Sequence, residues 1–222
     1  KNNNGNKILL TCKKFLLLRY NDIMFNLRFI ILFLIIFVYK SSLSNVNEER
    51  VLKYLQNFDS LKSDFIQVNN NGNVLSGKIS ILRPGKVRVE YKEIPILIIS
   101  DGKKIASINK ELDSITFYRI KDIPLALLLF KNFSLDNIKI LESSDLENQL
   151  RIRFKEKGKE NNGFIDVLFE KSTFILKKWV IFNNQMSKTE VLLENLKLNE
   201  NITNKIFKID DDDPRHPIWR DY

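Results

Sequence analysis

The chain has 222 residues, 44% of them hydrophobic and 11% aromatic, enough apolar side chain for a sizeable core and too much for general disorder. Its formal charge of +9 invites a nucleic-acid reading, but residues 1–44 hold seven of the basic residues (Lys1, Lys7, Lys13, Lys14, Arg19, Arg28, Lys40) against a single acid, Asp22. The remainder carries 29 basic and 26 acidic residues, a net +3, too balanced for the footprint of a nucleic-acid binder.

The first methionine is Met24, and from there the chain reads as an export signal over residues 24–44. Arg28 supplies a short positive start, Phe29 to Tyr39 an apolar run of eleven, and Ser42-Leu43-Ser44 small residues for cleavage after Ser44. The alternative is an uncleaved anchor, and the run is well short of the 18 or more apolar residues of a spanning helix. Residues 1–23 then read as translated upstream sequence without a structural role, and residues 45–222 as one domain with a polar tail. The one cysteine is Cys12. The expected mature domain therefore has no thiol for a disulfide, a metal or an acyl anchor, and its expected place is the periplasm, in solution.

Residues 46–58 have the pattern of an amphipathic helix, with Val51, Leu52, Leu55 and Phe58 on one side and Glu48, Glu49 and Lys53 largely on the other. Strand patterns follow at short intervals: 62–69, 73–82, 86–91, 96–100, 103–109, 114–119, 136–142, 149–155, 163–169, 174–182 and 187–197. Several alternate, as in Val87/Val89/Tyr91 against Lys86/Arg88/Glu90, the mark of a strand with one buried and one wet face. Turn residues join them at Asn71-Gly72-Asn73, Pro84-Gly85, Asp101-Gly102, Asn109 to Asp113 and Lys157 to Gly163. The pattern predicts a mainly β fold, one antiparallel sheet of about eleven strands, closed or nearly closed into a barrel.

Residues 122–130 (DIPLALLLF) break the rhythm. Asp122 as a cap, Pro124 in the first turn and the Ala/Leu run predict a short helix, apolar all round, that must be covered on every side or face a cavity. The tail after Asn199 is polar. Its Asp210–Asp213 run lacks the spaced ligands and glycine of a calcium loop and reads as a solvated charge run.

Little in the sequence points to catalysis. The single histidine, His216, lies between Arg215 and Pro217 without a visible orienting partner, and none of the seven glycines falls in a phosphate-loop pattern. Glu90 and Glu93 are close in sequence but read as solvated strand-edge acids. Lys177-Lys178-Trp179 could stack on single-stranded nucleic acid, yet in an alternating, exported strand Trp179 reads as core or cavity lining. No enzyme activity, cofactor or metal is expected.

Residues 80–103 carry a resemblance. Arg83-Pro84 closes a strand, Val87-Arg88-Val89-Glu90-Tyr91 follows, then Pro95, then an apolar strand from Ile98 that ends in Ser100-Asp101-Gly102-Lys103. Upstream stand Leu61 to Gln67, with Asp64-Phe65-Ile66-Gln67; downstream stand Ile123 to Leu129. In this order and spacing, after an export signal, the chain resembles the outer-membrane lipoprotein carrier (LolA) family, over most of residues 46–210. The resemblance implies an incompletely closed β-barrel with a helical lid over an apolar cavity. It implies a carrier that takes acylated lipoproteins from an inner-membrane ABC-type releasing complex and delivers them to the outer membrane, to an acceptor where one exists. In the family the arginine of the Arg-Pro step hydrogen-bonds backbone groups of the lid, which makes Arg83 the expected latch. The family's two aromatic cargo positions fall here on Val87 and Val89, which are smaller and not aromatic. Set against that fold, cavity and lid are expected from Leu52, Leu55, Phe58, Val87, Val89, Pro124, Leu125, Leu127, Leu128, Leu129 and Trp179. A monomer is expected, with no nucleic-acid partner. A lipid or glycolipid carrier, or a lipoprotein sensor of the same half-barrel, is the competing reading.

Overall fold

The computed structural model describes residues 46–130, 133–159 and 163–209. The expected export segment, Cys12, Asp210–Asp213 and His216 lie outside them. Residues 46–56 form helix α1. The strands are β1 (Ser60–Asn69), β2 (Val74–Leu82), β3 (Lys86–Tyr91), β4 (Ile96–Asp101), β5 (Lys104–Asn109) and β6 (Ser114–Arg119), then β7 (Ile138–Asp145), β8 (Gln149–Glu156), β9 (Phe164–Glu170), β10 (Ile175–Phe182) and β11 (Lys188–Leu198). They make one sheet in the order β6-β5-β4-β3-β2-β1-β11-β10-β9-β8-β7. Two meanders, β1–β6 and β7–β11, are thus joined by the antiparallel β1–β11 pair, and the sheet ends at β6 and β7 without closing.

Alternation puts the main core on the sheet's inner face, where α1 packs. In β8, Leu150, Ile152 and Phe154 are buried while Arg151 and Arg153 between them are half-buried. On α1, Val51, Leu52 and Leu55 are buried, and the Tyr54 ring meets Phe169 edge-on at 4.9 Å. The apolar run of β4 has a different cause. Ile98 faces inward, while Leu97 and Ile99 join Ala106 and Ile209 in a second cluster on the outer face. A strand buried on both faces needs no alternation. The chain after β11 supplies the outer cover: Ile202, Phe207 and Ile209 are buried, and Arg88 Nη1 donates to the Ile206 carbonyl at 3.1 Å.

Irregularities bend the sheet. β1, β7 and β10 shift register at Lys62/Asp64, Ile140/Glu142 and Leu176/Lys178, and such bulges sharpen twist and curvature. Opposite the first, Asn195 takes φ 52°, a left-handed conformation that asparagine tolerates. Gly77 has a different role. A Cβ there would lie 2.0 Å from the Glu90 carbonyl oxygen and 2.8 Å from the Phe65 ring. In register Gly77 stands between Phe65 and Tyr91, so its bareness lets the two rings meet edge-on at 5.5 Å.

The apolar segment after β6 is less helical than its composition predicts. A 3-10 turn occupies Ile120–Asp122, Ile123 is extended, and the helix proper, α2, is only Ala126–Leu129. Asp122 caps nothing; its carboxylate accepts from Arg119 Nε at 2.6 Å. Two causes shorten the helix. A residue before proline is pushed out of helical geometry, which sets Ile123, and the Leu128 and Leu129 carbonyls accept from Arg83 and from Gly85 N–H. Phe130 then turns extended.

Candidate ligand cavity

Between the inner face and the α2 segment lies a cavity of about 400 Å³, within the range of small-molecule sites. Its walls are mainly aliphatic and aromatic: Ile79 of β2, Val87 and Val89 of β3, Ile98 of β4, Ile105 of β5 and Trp179 of β10. Ile123 and Leu125 close it from the α2 side, and Tyr118 of the edge strand β6, 54% exposed, stands at its mouth. Gln67, Tyr91, Ser107 and Thr189 add polar atoms. A larger groove of about 800 Å³ runs along Glu147, Glu170, Lys171, Lys177 and Lys178. Its lysines are ion-paired, Lys177 with Glu170, Lys171 with Asp145 and Lys178 with Glu190, which makes it a solvated charged surface.

Arg83 sits where α1, β2 and α2 meet and is 6% exposed. Its Nε and Nη2 donate to the Leu128 carbonyl at 2.9 and 2.7 Å, and Nη1 donates to the carbonyls of Leu55 and Phe58. The guanidinium also lies 3.5 Å from the Phe58 ring centroid. One planar group thus ties carbonyls at the end of α1 to the last turn of α2, a geometry that lysine's single point donor cannot reproduce. Burial holds its pKa down to about 10, partly opposed by Asp59, so it stays protonated at neutral pH with all five N–H donors. The Arg83–Pro84 peptide is cis. Gly85 N–H donates to the Leu129 carbonyl at 2.8 Å, one residue further along the same seam.

Of the residues expected from sequence, Val87, Val89, Leu125 and Trp179 line the cavity. Leu52, Leu55, Phe58, Leu128 and Leu129 are buried in the core around it, Phe58 as the ring over which Arg83 lies. Leu127 lines a separate cleft with Ile120 and Phe130, and Pro124 is half-buried beside the lining. Phe65, Gln67, Tyr91, Thr189 and Val191 escaped the sequence reading as cavity residues. Side-chain parity on β1, β3 and β11 carries that signal, but only once the register is known. Trp179 is 1% exposed, which removes it as a stacking platform for nucleic acid. Glu93 is fully exposed; the Ser76 hydroxyl and N–H donate to it and hold its carboxyl below the ordinary value. Among the described residues no group of three His, Cys, Asp or Glu is placed to hold a metal, and no helix is long and apolar enough to cross a membrane.

The family model described as "Outer membrane lipoprotein carrier protein LolA" matches residues 56–210. Similar solved structures include a LolA superfamily protein from Nitrosomonas europaea (9% identical, TM-score 0.41, covering 70% of this chain and 91% of that one). An uncharacterized conserved protein from Thermus thermophilus is 11% identical (TM-score 0.44, 76% and 94% covered). A DUF1329 family protein from Desulfovibrio piger is 9% identical (TM-score 0.47, 74% and 97% covered). No curated protein matches the chain.

Proposed function

The chain belongs to the outer membrane lipoprotein carrier protein (LolA) family, and on that premise we propose that it shields the acyl chains of lipoproteins as they cross the periplasm. It takes them from an inner-membrane releasing complex and gives them up at the outer membrane, without catalysing a reaction. The observation that carries this reading is an apolar cavity closed by Ile123 and Leu125 in the segment leading into α2, with the buried Arg83 tying α2 to α1. A triacylated cargo exposes on the order of 40 methylenes at ~0.8 kcal/mol each, so unaided passage through water is opposed by tens of kcal/mol.

The size of the cavity favours a second reading. At about 30 Å³ per water-sized group, 400 Å³ holds roughly thirteen such groups, close to one acyl chain. Full lipoprotein cargo therefore requires α2 to move, whereas a single-chain lipid fits the closed form. Incubation of the protein with lipoprotein-bearing spheroplasts separates the two. The carrier reading expects acylated lipoprotein in the soluble fraction, bound to this chain. Free lipid as the sole bound species would replace it with lipid carriage.

A further inference from the structure

The cavity is not apolar throughout, and three of its polar side chains, Gln67, Tyr91 and Thr189, gather at one end, while Ser107 lies further along the wall, in register with Ile98. Gln67 lies six residues along β1 from Leu61, roughly 20 Å at 3.3 Å per residue and away from the Arg83 seam. Its Oε1 accepts from the Tyr91 hydroxyl at 3.0 Å, and its Nε2 donates to Asn69 Oδ1 at 2.7 Å. Thr189 of β11 is the register partner of Asn69 and brings a hydroxyl to the same end. The Gln67 amide is thus held at both ends by protein partners, in a wall otherwise built from Phe65, Trp179, Ile181 and Val191.

The hydrogen-bonding inventory of this cluster is not exhausted by its internal bonds. A glutamine amide has two N–H donors, and Asn69 takes one; the Tyr91 oxygen and the Thr189 hydroxyl keep acceptor lone pairs. A hydrocarbon tail can use neither. The carbonyl that joins an acyl chain to its headgroup can accept from Gln67, and an amide can in addition donate to an oxygen of the pair. Polar groups fixed by the fold in a mostly apolar pocket are what gives such a pocket orientation and selectivity.

We propose that Gln67, oriented by Tyr91 and Asn69, reads the amide or ester carbonyl of an acylated ligand, with the chain running from it along the cavity toward Arg83. This rests on the reading of the cavity as an acyl-chain site and adds which end of the ligand goes where. Displacement of a fluorescent apolar dye by N-methyldodecanamide, methyl dodecanoate and tridecane, in the wild-type chain and in Gln67→Leu and Gln67→Glu, tests it. Gln67→Glu keeps the side chain's size and the acceptor for Tyr91 and removes both N–H donors, the one to Asn69 included, so a loss shared with Gln67→Leu reports donation and not side-chain volume. The ratio of amide to hydrocarbon affinity should fall about five- to tenfold in both variants, the effect of one hydrogen bond. Equal loss for methyl dodecanoate makes the carbonyl the group read, and loss for the amide alone restricts the site to N-acyl ligands. A ratio unchanged by either substitution overturns the assignment of Gln67 while leaving acyl binding intact. Failure of every chain to bind the wild-type protein overturns the acyl-site reading itself, and this assignment with it.

Discussion

Replacing Arg83 by leucine isolates the contact that spans the roof of the cavity. The paired bonds from Nε and Nη2 to the Leu128 carbonyl, at 2.9 and 2.7 Å, tie α2 down, whereas the Nη1 bonds to Leu55 and Phe58 only anchor the arginine. A hydrogen bond from a charged group contributes roughly 1.5–3 kcal/mol. Taking the Leu128 contact as one such contribution, its loss should raise the open population of α2 roughly 10- to 150-fold. The Gly85 amide reads this directly, because its bond to the Leu129 carbonyl must break whenever α2 lifts. In native-state hydrogen exchange Gly85 should lose protection by that factor in Arg83→Leu, and nearly as much in Arg83→Lys, whose charge remains but whose fork is gone. The amide of Val167, deep in β9, serves as the control for global unfolding. Equal loss of protection at Gly85 and Val167 would refute the reasoning, since Arg83 would then hold up the whole domain and not the roof.

Three further outcomes are expected. Trp179→Ala removes a fully buried indole from the cavity wall and should cost about 3–5 kcal/mol in urea unfolding, with part of the loss recovered by added apolar ligand. Gly77→Ala forces a methyl into the Glu90 carbonyl and the Phe65 ring, so the Phe65–Tyr91 contact should break; tyrosine ring shifts in NMR that match the wild type would count against this packing. Glu190 accepts from Lys178 at 2.8 Å and pairs with Lys188, which hold its carboxyl below the ordinary value. Its contribution is therefore present above the ordinary carboxylate pKa and fades as pH falls through the depressed one. Glu190→Gln should remove a small part of the acid-side stability loss, about 0.2–1 kcal/mol for a half-buried pair in contact with solvent, in urea titrations at pH 7 and pH 3.

The eleven strands were legible because alternation and turn residues are local signals: 86–91 and 114–119 are met to the residue, and every other end falls within three residues of its expected place. Features set by distant partners were not. The expected helix over 122–130 contracts to Ala126–Leu129 because Ile123 precedes a proline and because the Leu128 carbonyl is captured by Arg83, 45 residues away in sequence, and the Leu129 carbonyl by Gly85. The double burial of β4 depends on the segment around Ile209, more than a hundred residues further on. Within the cavity, Val87 and Val89 could be placed from their motif and Trp179 from its strand. Phe65, Gly77 and Tyr91 become one unit only through the β1–β2–β3 register, which no single strand encodes.

The same register bears on release. A closed cavity that covers about thirteen methylene-sized groups can return on the order of 10 kcal/mol at ~0.8 kcal/mol each, before the cost of association. Covering all 40 methylenes of a triacylated cargo would return about 30, beyond the limit that non-covalent complexes reach, and such cargo could not be handed on. In the proposed carrier, partial cover is therefore the working condition: among the described residues the sheet ends at β6 and β7 without closing, so chains that do not fit beneath Ile123 and Leu125 can lie against the mouth at Tyr118. On the proposed reading, a contact of roughly 1.5–3 kcal/mol is small against the gain from even one bound chain and still favours the closed form. On that reading the balance rests on Arg83 and its three carbonyl partners, Leu55, Phe58 and Leu128.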